Sequence, residues 1–313
     1  MNPLTLSIAA VERNTGLSKD TLRVWERRYG FPLPARDGVG ERAYPLEQVE
    51  RLRLVKRLLD AGHRPGRVVP LSLEALQQLG ASTLDARPGA PAPALDEGAT
   101  RAYLAILRRH DVQALRQRLL GDLMRFGLQR FVVEVLAPLN TAVGEAWLHG
   151  HVEVFEEHAY TESVQAVLRR AIAVTPPPEA PARPRVLLAT LPGEPHGLGL
   201  LMVEALLALD GAACVSLGVQ TPVWDLVRAA GAYGSDIVAL SCTGCTGPNP
   251  TLGALRELRG KLPTATAVWV GGAAPVLQRR RIDGVQPFDT IAALPAALRA
   301  WHDRPAPPAG GPG

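Results

Sequence analysis

A buried strand that runs into a glycine-rich loop and then into a helix constrains the fold of this chain most. Residues 186–189 are uniformly apolar, which is typical of a strand covered on both faces. A loop over 191–199 follows, and apolar residues then recur at helical spacing over 200–209. Further apolar runs, near 212–217, 236–242, 266–270 and 287–290, alternate with helical stretches. This alternation predicts a parallel, flavodoxin-like α/β sheet of Rossmann type, whose ligands bind at the carboxyl ends of the strands.

Three short motifs follow strands of this predicted sheet. They read Glu194-x-His196-x-x-Gly199, Ser241-x-Thr243 and Gly271-Gly272. Taken singly, each has an ordinary interpretation, because a loop histidine is usually a surface residue and a glycine pair is usually a tight turn. Taken together and in register, they resemble the cobalamin-binding domain of methionine synthase and the corrinoid mutases.

The resemblance implies that His196 is the lower axial ligand of cobalt and replaces the cofactor's own dimethylbenzimidazole base. A neutral imidazole is a good ligand for cobalt, and a metal-bound histidine normally donates its other N–H to an acceptor nearby. Glu194, backed by Ser241, is the expected acceptor, at a position where relatives often have Asp. The other residues expected at the cofactor site are Gly199, Thr243, Gly271 and Gly272, the glycine pair where the nucleotide tail passes close to the backbone.

The first quarter of the chain carries the whole excess of positive charge. Residues 1–75 hold 13 Lys and Arg against 9 Asp and Glu, and the net charge of the chain is +4. A basic end domain indicates a polyanionic partner. The pattern there is a short helix over 6–13 with Ser7 as its cap, a turn at Gly16, and a second helix over 19–29 capped by Ser18. This is helix-turn-helix spacing, and a hairpin-like wing over 32–44 and an amphipathic helix over 47–61 follow it.

This segment resembles the winged-helix DNA-binding domain of the MerR family over about residues 5–72. The shared residues are Thr15-Gly16-Leu17-Ser18, Thr21-Leu22-Arg23-x-Trp25-Glu26-x-x-Tyr29-Gly30, then Arg36 and Gly40-x-Arg42-x-Tyr44. The resemblance implies that Arg23 and its neighbours enter the major groove of double-stranded DNA, and that Arg42 and Tyr44 of the wing contact phosphates. For any single arginine, a solvated surface position is the alternative. The predicted DNA-contacting residues are Lys19, Thr21, Arg23, Arg27, Arg28, Arg42 and Tyr44.

Composition restricts where in the cell we expect this protein and what its cysteines can do. No apolar stretch approaches the roughly 20 uninterrupted residues of a membrane span, and the first residues do not read as a signal peptide, so we expect a cytoplasmic protein. Three cysteines, Cys214, Cys242 and Cys245, are too few for a disulfide framework. The last two spell C-x-x-C without the second pair that a zinc site needs, which favours small residues in a crowded loop over a redox role.

The residues between the two domains have a helical pattern. Apolar positions recur at helical spacing over 102–173, with almost no strand signal. The predicted helices are one that includes Leu104, Leu107 and His110-Asp111, and three over 112–120, 131–147 and 154–173. Four helices with short connections predict a bundle.

Near the end of this bundle, Trp147 is followed after nine residues by Glu157-His158, ahead of the cobalamin-binding domain. In such segments a tryptophan is usually core and Glu-His is usually solvated. The arrangement nevertheless resembles the CarH/LitR-type photoreceptor repressors. That resemblance implies that the bundle caps the upper face of adenosylcobalamin, with Trp147 against the adenosyl group, Glu157 bonded to its ribose and His158 lining the same pocket.

One position departs from this family. The best-known members have a histidine directly after the tryptophan, and it takes the upper cobalt position after light breaks the cobalt–carbon bond. Here that residue is Leu148, which cannot ligate cobalt. His149 and His151 lie nearby, but neither matches the family position.

These segments predict a multidomain chain. Its parts are an all-α, MerR-like winged helix-turn-helix (1–78), a linker (79–99), a four-helix bundle (100–174), a stiffer Pro-rich linker (175–184), the flavodoxin-like cobalamin-binding domain (185–303) and a disordered tail (304–313).

The leading hypothesis is a non-enzymatic transcription regulator. It is a repressor that binds operator DNA as an adenosylcobalamin-loaded homo-oligomer in the dark, a tetramer by the family resemblance, and that light releases. A light-independent sensor of cobalamin is the first alternative, and Leu148 motivates it. A corrinoid enzyme subunit is a remote alternative that leaves the helix-turn-helix unexplained. A cofactor-free regulator with a degenerate sheet domain is the last alternative.

Overall fold

The computed structural model describes residues 5–36, 38, 40–60, 62–85, 95–176 and 183–304. The central parts of both expected linkers, 86–94 and 177–182, lie outside the described residues. So do residues 305–313, which hold nearly all of the expected disordered tail.

The first domain is a helix-turn-helix with a small sheet. Its elements are β1 (Thr5–Ser7), α1 (Ile8–Thr15), α2 (Lys19–Tyr29), β2 (Ala35–Arg36), β3 (Arg42–Pro45), α3 (Leu46–Asp60), α4 (Pro65–Val68) and α5 (Leu73–Asp85). The side chains of Ser7 and Ser18 cap α1 and α2, since each accepts the backbone N–H of the third residue on. Gly16 ends α1 in the left-handed conformation, with φ of 70°.

Two expectations for this domain are corrected. It is not all-α, because β1 and β2 both pair antiparallel with β3 to form a three-stranded sheet that includes the wing. The expected linker does not begin at residue 79, because α5 continues to Asp85. Leu76 of this helix is fully buried in the first domain's core, and that burial holds α5 against α3.

The bundle consists of α6 (Glu97–Arg108), α7 (Val112–Phe126), a long helical run over 128–148, and α10 (Val154–Ala173). The long run comprises α8 (Leu128–Arg130), a π-helical segment (Phe131–Leu136) and α9 (Ala137–Leu148). The placement of His110 inside the first helix was wrong. Its φ is +58°, which breaks the helix between α6 and α7, and Asp111 then caps α7 by accepting from the backbone N–H of Ala114 at 2.8 Å.

The long helical run differs from the expectation that no segment is long and apolar enough to span a membrane. By length and composition alone, residues 128–148 are apolar enough to cross a membrane, with a mean hydropathy of 1.2. Buried residues on this run, among them Phe131, Val135 and Leu139, pack in the bundle core. A core helix passes the same composition test, so this run is weak evidence for a membrane.

The last domain is the expected parallel sheet. Its strands are β4 (Arg185–Thr190), β5 (Ala213–Gly218), β6 (Ile237–Ser241), β7 (Ala267–Gly271) and β8 (Val285–Phe288), and its helices are α11 (Leu198–Leu209), α12 (Val223–Ala232), α13 (Pro248–Lys261), α14 (Pro275–Arg279) and α15 (Leu294–His302). The strand order is β5-β4-β6-β7-β8, and every pairing is parallel. The first strand therefore lies between the second and third, and the switch point of this topology is at the ends of β4, β5 and β6.

The bundle and the sheet share a core. One cluster of buried side chains joins the inner faces of the bundle helices to α11 and to one face of the sheet, through residues such as Leu139, Val164, Leu200 and Ile237. A second cluster covers the other face of the sheet. The first domain has a separate core around Leu22, Trp25 and Leu52.

Candidate functional site

A buried carboxylate organises the loop after β4. The side chain of Glu194 is 2 % exposed. It accepts hydrogen bonds from the backbone N–H of Thr243 at 2.6 Å and from the Thr243 hydroxyl at 2.8 Å. Because β4 and β6 are neighbours, their carboxyl ends bring Glu194 and Thr243 together across the switch point. The loop itself is held by Thr190, whose hydroxyl donates to the Glu194 carbonyl at 2.5 Å.

The same carboxylate orients the loop histidine. Oε1 of Glu194 lies 2.6 Å from Nδ1 of His196 and 3.2 Å from the backbone nitrogen of His196. The bond at Nδ1 fixes the ring and leaves Nε2 as the nitrogen that can face a metal. The glutamate therefore reaches the position expected of an aspartate.

Both members of this pair have shifted pKa values. Burial by itself would raise the pKa of the Glu194 carboxyl, but hydrogen bonds from His196 and Thr243 outweigh it and lower the pKa to about 2. Hydrogen bonds with Cys245 and then with Glu194 raise the pKa of His196 to about 10. Before any metal binds, the pair is an ion pair at neutral pH.

Ser241 does not have the role that the sequence suggested for it. In the described part of the chain, no hydrogen bond joins its hydroxyl to Glu194, and Thr243 supplies the side-chain donor instead. Ser241 packs under the start of α11, where a Cβ on Gly199 would lie 2.8 Å from its Oγ. The serine and Gly199 thus allow α11 to approach the end of β6.

The two glycines after β7 have different surroundings. A Cβ on Gly272 would lie 2.3 Å from the carbonyl oxygen of Cys242, and its φ is 111°, so only glycine fits here. A Cβ on Gly271 would make an ordinary contact, at 3.7 Å from the side chain of Phe288. The requirement for glycine at 272 therefore comes from the neighbouring loop, whereas position 271 is free of that constraint.

Cys245 belongs to this site, although the sequence motifs did not predict it there. The ligand atoms of Glu194, His196 and Cys245 lie within 4.8 Å of one another, so these groups have the composition of a metal site. Both carboxylate oxygens of Glu194 already accept hydrogen bonds, which favours an orienting role for it. Cys242 is a free, buried thiol with its pKa raised to about 12 by burial, which does not favour redox chemistry. The C-x-x-C spelling was the only signal for Cys245.

The residues that we expected to cover the upper face of the cofactor lie near the C-terminal end of α9 and near the start of α10. Trp147 is half-buried against the bundle core, near the end of α9. Glu157, on the first turns of α10, accepts from the Thr161 hydroxyl at 2.7 Å and lies 3.8 Å from His158, whose side chain is 71 % exposed. Within the described residues, no hydrogen bond or ring contact joins Trp147 to Glu157 or to His158.

The residue after Trp147 faces the interior. Leu148 is 3 % exposed and ends α9. The two nearby histidines stack on each other with ring centres 5.7 Å apart, and Nδ1 of His149 is 2.9 Å from the carbonyl of Glu145. His149 and His151 therefore lie just beyond the C-terminal end of α9.

The expected DNA-reading helix presents a basic, exposed surface. Arg27 and Arg28 of α2 are exposed, and Arg23 is half-exposed with an ion pair to Asp20 at 3.1 Å. Nζ of Lys19 is 3.7 Å from Oε2 of Glu12, which makes a salt bridge. The hydroxyl oxygens of Thr21 and Ser18 are 2.8 Å apart and form a hydrogen bond. All of these side chains belong to one helix, as the helix-turn-helix pattern predicts.

The two wing residues that we expected to contact phosphate have different surroundings. Arg42 is partly exposed and pairs with Glu26 at 3.0 Å, so its guanidinium lies between the wing and α2. Tyr44 is fully buried, and its hydroxyl has no hydrogen-bond partner in the described residues. The expectation that Tyr44 contacts phosphate is therefore wrong for this structure, because its side chain packs in the first domain's core.

Comparison with known families gives the class of protein. Residues 6–70 match the family described as "MerR HTH family regulatory protein". Residues 100–172 and residues 184–292 match two families that are both described as "B12 binding domain". The helix-turn-helix, the bundle and the sheet are therefore the parts of a cobalamin-binding transcription regulator, as the sequence motifs predicted.

Two proteins from Myxococcus xanthus show the family. The "HTH-type transcriptional repressor CarH" is 34% identical over 266 residues, which covers 83% of this chain and 86% of that protein. The "HTH-type transcriptional repressor CarA" is 31% identical over 275 residues, with 86% and 88% covered. The chain belongs to the family of CarH-type transcriptional repressors.

Two solved structures are similar to about two thirds of this chain. The monomethylamine corrinoid protein of Methanosarcina barkeri is 16% identical with a TM-score of 0.48, covering 64% of this chain and 96% of that chain. A cobalamin-binding protein from Desulfitobacterium hafniense DCB-2 is 21% identical with a TM-score of 0.32, covering 64% and 97%.

Proposed function

We propose that this chain is a repressor that binds operator DNA as an adenosylcobalamin-loaded oligomer in the dark and is released by light. The observation that carries the proposal is the bond between Glu194 and Nδ1 of His196, at 2.6 Å, in the same chain as a basic helix-turn-helix. An imidazole held in this way has its other nitrogen available for cobalt.

The chemistry of the residues fits a corrinoid. His196 would donate Nε2 to cobalt, while Glu194 keeps the remaining proton on Nδ1 and Thr243 holds Glu194 in place. Because the imidazole is protonated before the metal binds, it must lose the Nε2 proton at that step. Gly271, whose position tolerates a Cβ within the protein itself, is where close approach of the nucleotide tail would explain a glycine.

The bundle would supply the upper cover of the site. We assign Trp147 to the adenosyl group, Glu157 to its ribose and His158 to the rim of the same pocket. The side chains of His158 and Glu157 are 71 % and 33 % exposed, which supports this assignment. Adenosylcobalamin, when bound, supplies a cobalt–carbon bond that light breaks.

We infer that DNA is held by the exposed side chains of α2 together with Arg42. Arg23, Arg27 and Arg28 lie on one helix, the arrangement that presents base-reading and phosphate-binding groups to a major groove. An oligomer, a tetramer by analogy with the photoreceptor relatives, would present several such helices at once, so that modest affinities multiply. We place the protein in the cytoplasm, where DNA is its partner.

The test is retardation of DNA by the loaded protein. A duplex is first selected from random sequence with protein loaded with adenosylcobalamin in darkness, and its retardation is then compared before and after green light. We expect retardation in the dark and its loss after illumination, with a matching decrease in molecular mass by light scattering. Equal retardation in both conditions contradicts release by light.

Leu148 supports a second candidate, a regulator that senses cobalamin without light. Its side chain is buried and cannot ligate cobalt, so the residue that would trap the lit state is missing from its family position. This candidate predicts that methylcobalamin and hydroxocobalamin support the same DNA binding in darkness as the adenosyl form. Retardation by the adenosyl form alone contradicts it.

A role as a corrinoid enzyme subunit is the least supported alternative. The relatives that share 34% and 31% identity with this chain are described as transcriptional repressors. We therefore infer a regulator, with the corrin as ligand rather than as catalyst. A cofactor-free regulator is tested by the absorption spectrum after reconstitution, since absence of bound corrin would favour it.

A further inference from the structure

An arginine of the first domain is buried against the end of the bundle. Arg57 lies on the last turn of α3 and is 6 % exposed. Its Nη1 donates to the carbonyl oxygen of Trp147 at 2.7 Å, and its guanidinium carbon is 5.1 Å from the centre of the Trp147 ring. Its Nη2 is 3.9 Å from a carboxylate oxygen of Glu153. One side chain thus contacts both the backbone and the ring of Trp147.

This contact has the features of a specific interaction. Burial lowers the pKa of the Arg57 guanidinium, and its Nε has no hydrogen-bond partner in the described residues. Burying a charge is costly unless nearby groups compensate for it. The compensation comes from the C-terminal end of α9, whose carbonyls carry partial negative charge, from the face of the indole ring, and from Glu153 at the start of α10.

A second contact brings the same end of α3 to the sheet domain. A Cβ built on Gly62 would lie 3.0 Å from the carbonyl oxygen of Gly244. Gly244 lies between Thr243 and Cys245, the residues that contact Glu194 and His196. Arg57 therefore touches the bundle at Trp147, and Gly62 touches the sheet domain beside the histidine site.

This docking leaves the DNA-reading surface free. The side chain of Arg23 is 48 % exposed, and Arg27 and Arg28 are also exposed, although α3 is packed against the bundle. The contact at Arg57 is therefore one of those that hold the first domain against the bundle, and it leaves α2 uncovered.

We propose that Arg57 is a positioning residue for Trp147, and that through it the occupant of the upper face of the cofactor governs the placement of the DNA-binding domain. The inference rests on the proposed assignment of Trp147 to the adenosyl group. If Arg57 holds the indole in the orientation that the adenosyl group requires, its loss weakens binding of that form selectively. By linkage, the adenosyl group strengthens the contact at Arg57 by the same factor.

The test compares Arg57→Gln with Arg53→Gln, which removes the same charge one turn earlier on α3. Arg53 is partly exposed and donates a hydrogen bond to Oδ1 of Asn14 within the first domain. Each protein is titrated in darkness with adenosylcobalamin and with hydroxocobalamin, followed by absorption. We expect Arg57→Gln to weaken the adenosyl form about 3–10-fold and the hydroxo form less than about 2-fold, while Arg53→Gln changes neither. Arg57→Lys, which keeps a cation near the indole, should restore part of the loss.

A second measurement uses the protein without cofactor. Hydrogen exchange of backbone amides over 146–152 should be several-fold faster in Arg57→Gln than in Arg53→Gln. Equal exchange in the two variants, or equal weakening of both cobalamins by Arg57→Gln, overturns the inference. If the unaltered chain binds neither cobalamin, the proposed function fails, and the exchange comparison still decides whether Arg57 holds Trp147.

Discussion

Neighbouring groups shift the pKa values of Glu194 and His196 in opposite directions. The pKa of His196 is raised from 6.5 to about 10 in the folded chain, so its stabilising contribution is fully present below pH 6.5 and is lost as the pH rises to about 10. The pKa of Glu194 is lowered from 4.5 to about 2, so its contribution is present above pH 4.5 and is lost as the pH falls to about 2. Between pH 4.5 and 6.5 both contributions are complete.

His196→Gln should therefore destabilise the cofactor-free protein in a pH-dependent way. The side chain of His196 is 52 % exposed, so solvent screening reduces the effect to about 1 kcal/mol, which corresponds to a Tm lower by roughly 2–4 °C. Thermal unfolding followed by circular dichroism should give the largest difference from wild type at pH 5–6 and almost none at about pH 10. A difference that stays constant across this range contradicts the ion pair.

The Thr243 hydroxyl donates to the Glu194 carboxylate, in the role that we expected Ser241 to have. Thr243→Val removes a donor from a buried carboxylate, which should lower the free energy of unfolding by about 1–3 kcal/mol and also weaken cobalamin binding. Ser241→Ala is the matched control, since its hydroxyl does not bond Glu194. Urea unfolding and cobalamin titration check both variants, and a larger effect of Ser241→Ala on either quantity would reverse the assignment.

At the scale of elements, periodicity and caps located most helices and strands, and local backbone geometry accounts for the failures. The bounds of α2 and α10 agree with the sequence expectation, because Ser18 and the apolar spacing are local signals. Strand β1 has three residues and is too short for any periodicity. His110 has apolar neighbours at helical spacing, and nothing in that pattern indicates a positive φ.

The glycine pair after β7 allows a test of one element against the cofactor. Gly272→Ala should lower the free energy of unfolding by about 1–3 kcal/mol, because its φ of 111° and its contact with the Cys242 carbonyl leave no room for a methyl group. Gly271→Ala should fold with nearly normal stability and weaken cobalamin binding, if the nucleotide tail passes there. Chemical unfolding and corrin titration separate the two. Normal stability of Gly272→Ala contradicts the packing argument.

At the scale of the whole molecule, the sequence located each domain but not how the domains meet. Glu194, His196 and Thr243 could be predicted because they belong to motifs that follow strands, and a parallel sheet brings such loops together. The contact between Arg57 and Trp147 joins residues on different domains, across a stretch rich in proline, and no local pattern indicates it. Tyr44 was misassigned for a related reason, since a family motif does not show which face of a short strand is buried.

The central claim is that Nε2 of His196 binds cobalt in place of the cofactor's own base. Electron paramagnetic resonance of the cob(II)alamin-loaded protein tests it directly. Two samples are compared, one expressed with ordinary histidine and one expressed with ¹⁵N-histidine. Each line of the axial nitrogen splitting should change from a triplet to a doublet on labelling, and His196→Gln should abolish the change. A triplet that survives labelling would mean that the dimethylbenzimidazole remains on cobalt, and the proposed site would then be wrong.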